Sequence, residues 1–246
     1  MEPPLKTDRP SGWDNPELTA HFERLWSNTV ATFARKRESH RLCRIDEVMY
    51  EITIGWSGGP PTAQSIIPLL MYFRAHSSFR AACALGMGGA TVEGFAVLRQ
   101  GVEFAGYAAL VHDDPALANV WWDRDQTAAD EKKVRRAFTH GAFRAAIKKA
   151  DAGLSAAYES LYDRLIQFGA HPNEKSISGN LKLEHSASQM QLQQVYLHGD
   201  GHQLDHWILT ANQVGILILK IFEKIHVKRF SNLGVGPKID RLADGL

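Results

Sequence analysis

Residues 90–112, ATVEGFAVLRQGVEFAGYAALVH, decide the fold. The stretch is apolar along most of its length and too long for a strand, which rarely exceeds about ten residues. At 100° per residue its polar members gather on one side. With Glu93 at 0°, Arg99 falls at about 240°, Glu103 at about 280°, Tyr107 at about 320° and Gln100 at about 340°. The rest of the surface is apolar or glycine, the mark of a helix buried on most sides. An unpaired charge there is costly, so the polar stripe must pair internally or face a cavity.

Before this helix, residues 1–14 are Pro-rich and polar and read as a flexible arm, with no apolar run of the secretion-signal kind. Asn15-Pro16-Glu17 reads as a helix start: a capping Asn, Pro in the first turn and an acid near the positive end. Leu18, Phe22, Leu25, Thr29 and Phe33 recur at helical spacing and carry this helix to about residue 41. Residues 45–54 read either as more helix or as a short strand, because Tyr50-Glu51-Ile52-Thr53-Ile54 alternates; GWSGGPP at 55–61 is a loop. A second long helix is expected over about 62–85, with Pro68 kinking it or delaying its start. The break Gly86-Met87-Gly88-Gly89 then makes it an antiparallel hairpin with the 90–112 helix.

After it, Asp113-Asp114-Pro115 caps a short helix carrying Trp121 and Trp122, and Thr127 with Asp130 forms a variant capping box. Asp151 opens a helix with the stripe Leu154, Tyr158, Leu161, Leu165 and Phe168, expected to stop at Gly169 before Pro172. Residues 178–197 alternate and read as a two-stranded hairpin; such a hairpin is marginal alone, so it is expected to pack on the helices. Gly199-Asp200-Gly201 starts the last long helix, to about 226, whose middle VGILILKIF is apolar nearly all round and therefore central. Residues 227–246 read as a tail. The fold class is mostly α: a single helical domain over 15–226, a bundle of five to seven helices with one small antiparallel β hairpin before the last helix. Abundant apolar helix faces point to a homodimer.

With 246 residues, 44% hydrophobic and 22% charged, the chain has ample material for a core. A net charge of +1 gives no global field toward nucleic acid or membrane. The longest strongly apolar run, 214–219, is far short of the roughly 20 residues that span a bilayer. Cys43 and Cys83 are too few for a disulfide framework and fit a cytoplasmic protein. No P-loop, GxGxxG, GxSxG or paired-Cys pattern occurs, and no cofactor is expected.

Four constellations could carry chemistry. Arg99 and Glu103 are i, i+4 neighbours that can form an ion pair. Arg164 and His171 flank a helix end, where His171 could be a general acid/base with an anion-stabilising Arg beside it, or a cap on the last carbonyls. His202 and His206, with His198 a turn earlier, form a weak metal candidate, since two histidines supply only half of what zinc requires. Lys132, Lys133, Arg136, Arg144 and Lys148, with His140, form a basic ridge that tracks phosphates or is simply solvated.

LRQGVE at 98–103 on a buried helix, followed by YDRLIQFGAHPN at 162–173, resembles the HEPN-type helical domains. The resemblance covers roughly residues 70–175. It implies a dimeric helical bundle, metal-independent RNA cleavage or RNA/nucleotide binding, and a site built from His171, Arg164, Arg99, Asn173 and an acidic partner, Glu93 or Glu103. Leu165 stands where that pattern carries a polar residue. It favours the alternative: a non-catalytic helical interaction protein with a buried Arg/Glu/His network.

Overall fold

The computed structural model describes residues 16–56, 62–170, 174–185 and 190–246. The N-terminal arm, Asn15, the 57–61 loop and the hairpin's turn lie outside the described residues. Within them the chain is mostly α, with twelve helices rather than five to seven. The difference comes from breaks inside stretches that sequence periodicity reads as continuous, and from a C-terminus that folds.

Helix α1 is Pro16–Arg35 and α2 is Arg37–Ile54. Lys36 separates them in an extended conformation (φ −106°, ψ 103°), its ammonium drawn to Asp205 at 2.7 Å and to Asp200. The alternating 50–54 stretch is therefore helix. Helix α3, Ala63–Met87, starts on a Thr62–Ser65 capping box and accommodates Pro68 in its second turn without ending. Gly88 and Gly89 turn the chain into α4, Thr91–Asp113, forming the expected helical hairpin. Gly89 has φ 96°, a conformation open to glycine, and its carbonyl accepts from the His198 amide at 2.8 Å.

Helix α4 sits in the centre as its sequence requires. It packs on α3 through small residues, Ala75, Ala82, Ala105 and Ala108, all fully buried. Helices α5 (Ala116–Trp122), α6 (Ala128–Ala137), α7 (His140–Ala150) and α8 (Ala152–Leu165) follow. Asp114, Thr127, Thr139 and Asp151 each accept from a backbone amide at a helix start. Helix α8 gives way after Leu165 to a π-helical turn, Ile166–Ala170, which ends within one residue of the expected stop at Gly169. Gly169 lies against Val92 O and Phe95 of α4, so it serves close approach rather than a helix cap.

A short helix α9, Glu174–Ser178, leads to strands β1, Leu181–His185, and β2, Met190–Gln194, paired antiparallel with Leu183 opposite Leu192. Helix α10, His202–Ile225, is the second core helix, touching α2, α3, α4 and α8. Trp207, fully buried, fills the space over Gly86 and Gly94. Removing an indole of that size from water stabilises by on the order of 5 kcal/mol. The 227–246 stretch is not a tail: α11, Val227–Leu233, and α12, Gly236–Ala243, bury Phe230, Val235 and Ile239, and Lys238 bonds Glu51 at 2.6 Å. Both helices are short, and their few apolar residues give little periodicity to read.

Candidate functional site

Tyr162 and Arg164 stand two residues apart on α8, about 200° around the helix, and so serve different neighbours. Tyr162 faces α4. Its hydroxyl donates to Glu103 Oε1 at 2.9 Å, and Arg99 Nε donates to the same oxygen at 2.8 Å. The Arg99 guanidinium lies 5.4 Å over the Tyr162 ring, and His140 stacks on that ring at 4.1 Å. Tyr158 adds a third parallel ring 5.7 Å from Tyr162, with its hydroxyl buried and without a partner among the described residues. Burial, then Glu103, pushes the Tyr162 phenol up. Burial works against the Arg99 charge, but Glu103 and Tyr162 outweigh it and raise its pKa. The i, i+4 pair is real, yet the side chains remain 23% and 29% exposed, so the network is half-buried rather than sealed.

Arg164 faces α10 instead. Its Nη1 donates to Gln213 Oε1 at 2.6 Å and to Thr210 Oγ1 at 3.3 Å. Glu93 is exposed in the first turn of α4, ten residues and roughly 15 Å along the helix from Glu103; its field reaches His198. The structure therefore unites Arg99 and Glu103 and leaves Arg164 and Glu93 elsewhere. His171 and Asn173 lie outside the described residues.

The basic ridge is split. Phe138 and Thr139 interrupt the helix, so Lys132, Lys133 and Arg136 are on α6 while Arg144 and Lys148 are on α7. Lys133 pairs with Asp130 at 2.7 Å and Arg144 with Glu159, whereas Lys132, Arg136 and Lys148 are exposed. The three histidines are employed separately: His206 packs between Phe95 and Phe168, His198 bonds Asn180 at 2.9 Å, and His202 is exposed. Among the described residues no group of three or more His, Cys, Asp or Glu is placed to hold a metal, and no helix is long and apolar enough to cross a membrane.

The structure also exposes apolar surface where the sequence predicts a core. Helix α1 is held to the body by Asn28 and Thr32, which donate to Gly88 O and Met87 O at 3.0 and 2.9 Å. That anchoring turns Leu18, Phe22, Trp26, Val30 and Phe33 outward; Trp26 is 69% exposed. These five share about 120° of the helix. Among the described residues the hairpin touches the short helix α9 through β1 but leaves most of its side chains exposed. Its register puts Leu181, Leu183, Met190 and Leu192 on one face and Lys182, Glu184, Gln191 and Gln193 on the other. Leu183, Met190 and Leu192 are nonetheless exposed. Helix α1 and the strand exit, Gln194–Gly199 in sequence, form the two walls of a cleft of ≈ 1020 Å³, with the exposed Tyr196 on its rim. The alternation of 178–197 carried this surface in the sequence, but nothing there said that its apolar side chains would be exposed.

Compared with family models, curated proteins and solved structures, the chain finds no match.

Proposed function

We propose that this chain is a non-catalytic helical interaction protein that acts as a homodimer through α1 and the hairpin. One observation carries the reading: Leu18, Phe22, Trp26, Val30 and Phe33 are exposed together along one side of α1, and Leu183, Met190 and Leu192 are exposed on one face of the hairpin. Soluble monomers rarely expose apolar patches of that extent unless a partner covers them. The pattern on α1 is nearly palindromic about Trp26. In an antiparallel pair across a two-fold axis at Trp26, Phe22 meets Val30 of the other copy, Leu18 lies near Phe33, and Glu17 meets Arg35. Self-complementarity of that kind is what an isologous interface needs. The Arg99–Glu103–Tyr162–His140 network then has a structural role, tying α4, α7 and α8 together.

The test is a symmetric cross-link. Trp26→Cys should form an intermolecular disulfide under mild oxidation, and Glu38→Cys, exposed on α2, should not. Equal cross-linking at both positions would count against the pairing.

A second reading keeps the HEPN-like resemblance, with RNA as ligand and His171, Arg164, Arg99 and a glutamate as the acting groups. The exposure of Lys132, Arg136 and Lys148 favours it. RNA cleavage in the presence of EDTA, lost in His171→Ala, would establish it and displace the first reading.

A further inference from the structure

At the far end of α10 from the α1 cleft, a second cleft of ≈ 790 Å³ opens where α10 gives way to α11. His112, Lys224, His226, Lys228 and Arg229 line it, and among the described residues no carboxylate does. It shares His112, Lys224 and Ile225 with an adjoining pocket of ≈ 210 Å³ whose floor is Ala109, Ala146, Ile147 and Ile221. A cationic mouth thus opens onto an apolar recess.

Helix ends explain part of the charge. Helices α4 and α10 both finish here, and their carbonyl ends favour His112 and Lys224. Lys224 is further balanced by Asp151 at 3.0 Å, and Lys149 at the recess is paired with Asp113. Lys228 is covered by neither. It stands with Arg229 in the first turn of α11, where cations are disfavoured. Arg229 is fixed with its guanidinium 4.6 Å over the Trp56 ring and donating to Gly55 O at 3.3 Å. Lys228 is exposed and forms no ion pair among the described residues. Departures from local preference of this kind cluster at functional sites. His226 reports the same field: burial, then His112 and Arg229, lowers its pKa to about 4.

We propose that this corner binds a small phosphomonoester, with the phosphate between Lys228, Arg229 and Lys224 and an apolar substituent in the adjoining recess. A doubly charged phosphate matches a cleft lined by several cations better than a single carboxylate does. The recess is of the right size for a ring, since a cavity of about 150 Å³ already admits benzene. The proposal is independent of the homodimer.

Phenyl phosphate, inorganic phosphate and benzyl alcohol are the probes, titrated calorimetrically into the full chain. Phenyl phosphate should bind about tenfold more tightly than inorganic phosphate, a gain of about 1.4 kcal/mol from the recess. Benzyl alcohol should bind weakest. Lys228→Ala should weaken phenyl phosphate at least about fivefold and Lys228→Glu more than about tenfold; both keep the fold, because Lys228 is exposed. Ala150→Leu, at the exposed lip of the recess, should weaken phenyl phosphate and leave inorganic phosphate unchanged. Absence of binding up to about 10 mM, or indifference to Lys228→Glu, overturns the site. Equal affinity for the two phosphates overturns the apolar half. Binding to vesicles containing phosphatidic acid but not to phenyl phosphate would overturn the small-molecule assignment.

Discussion

Glu103 is the residue on which the polar stripe of α4 turns. Its carboxylate accepts from Arg99 and Tyr162 together. Partial exposure screens the pair, so Glu103→Ala should cost about 1–2 kcal/mol, below the roughly 3–5 kcal/mol of a sealed ion pair. Thermal unfolding should show a drop of about 2–6 °C; no shift would mean the stripe contributes nothing. Two other residues divide the acid sensitivity. At Asp46 burial raises the pKa, but hydrogen bonds from His76 Nε2 and Arg80 outweigh it and hold the carboxyl at about 2, against 3.8 for a free one. Its contribution is full above about pH 4 and is lost as pH falls through about 2, roughly 2 kcal/mol in all. His226 is lowered from 6.5 to about 4, so the fold favours its neutral ring; stability declines as pH drops below about 6.5 and levels off under about 4. Urea melts across this range should lose the upper limb in His226→Phe and the lower limb in Asp46→Asn. An unchanged profile in either variant would refute that assignment.

Among the elements, the α3–α4 hairpin was the most legible from sequence. Its glycine break, small residues and apolar surround all agree with the structure. Gly86 makes the physics testable. Replacing an exposed helical glycine by alanine ordinarily stabilises by about 0.5–1 kcal/mol. A Cβ on Gly86 runs into the Trp207 indole, so Gly86→Ala should instead destabilise by about 1–3 kcal/mol in a urea melt. A stabilised variant would show that the packing over Trp207 is loose. The β hairpin was legible as an element but not in its placement. Alternation fixes which face is apolar, and only tertiary packing decides what covers it. Because both faces are exposed, replacing residues 181–194 with a Gly/Ser linker should leave the melting temperature within about 2 °C. A larger fall would show the strands supporting the body. The outward turn of α1 was hidden for a similar reason: Leu18, Phe22 and Phe33 have the spacing of a core stripe, and the anchoring through Asn28 and Thr32 appears only in three dimensions.

At the scale of the whole molecule, the chain combines a well-packed pair of core helices, α4 and α10, with apolar side chains exposed on α1 and on the hairpin. The residues singled out for chemistry are divided among neighbours: Arg164 bonds α10, Glu103 bonds Arg99 and Tyr162, and the basic ridge is cut in two. Sequence spacing could not show this division, because residues close in number on a helix point to different partners. The central claim is that α1 and the hairpin are covered by a second copy, and sedimentation equilibrium tests it most directly. The wild-type chain should fit a species of twice 27.4 kDa at micromolar concentration, and Trp26→Glu should sediment at 27.4 kDa with an unchanged helical spectrum. A wild-type chain that remains at 27.4 kDa at every concentration, or a Trp26→Glu chain that stays dimeric, would contradict the account.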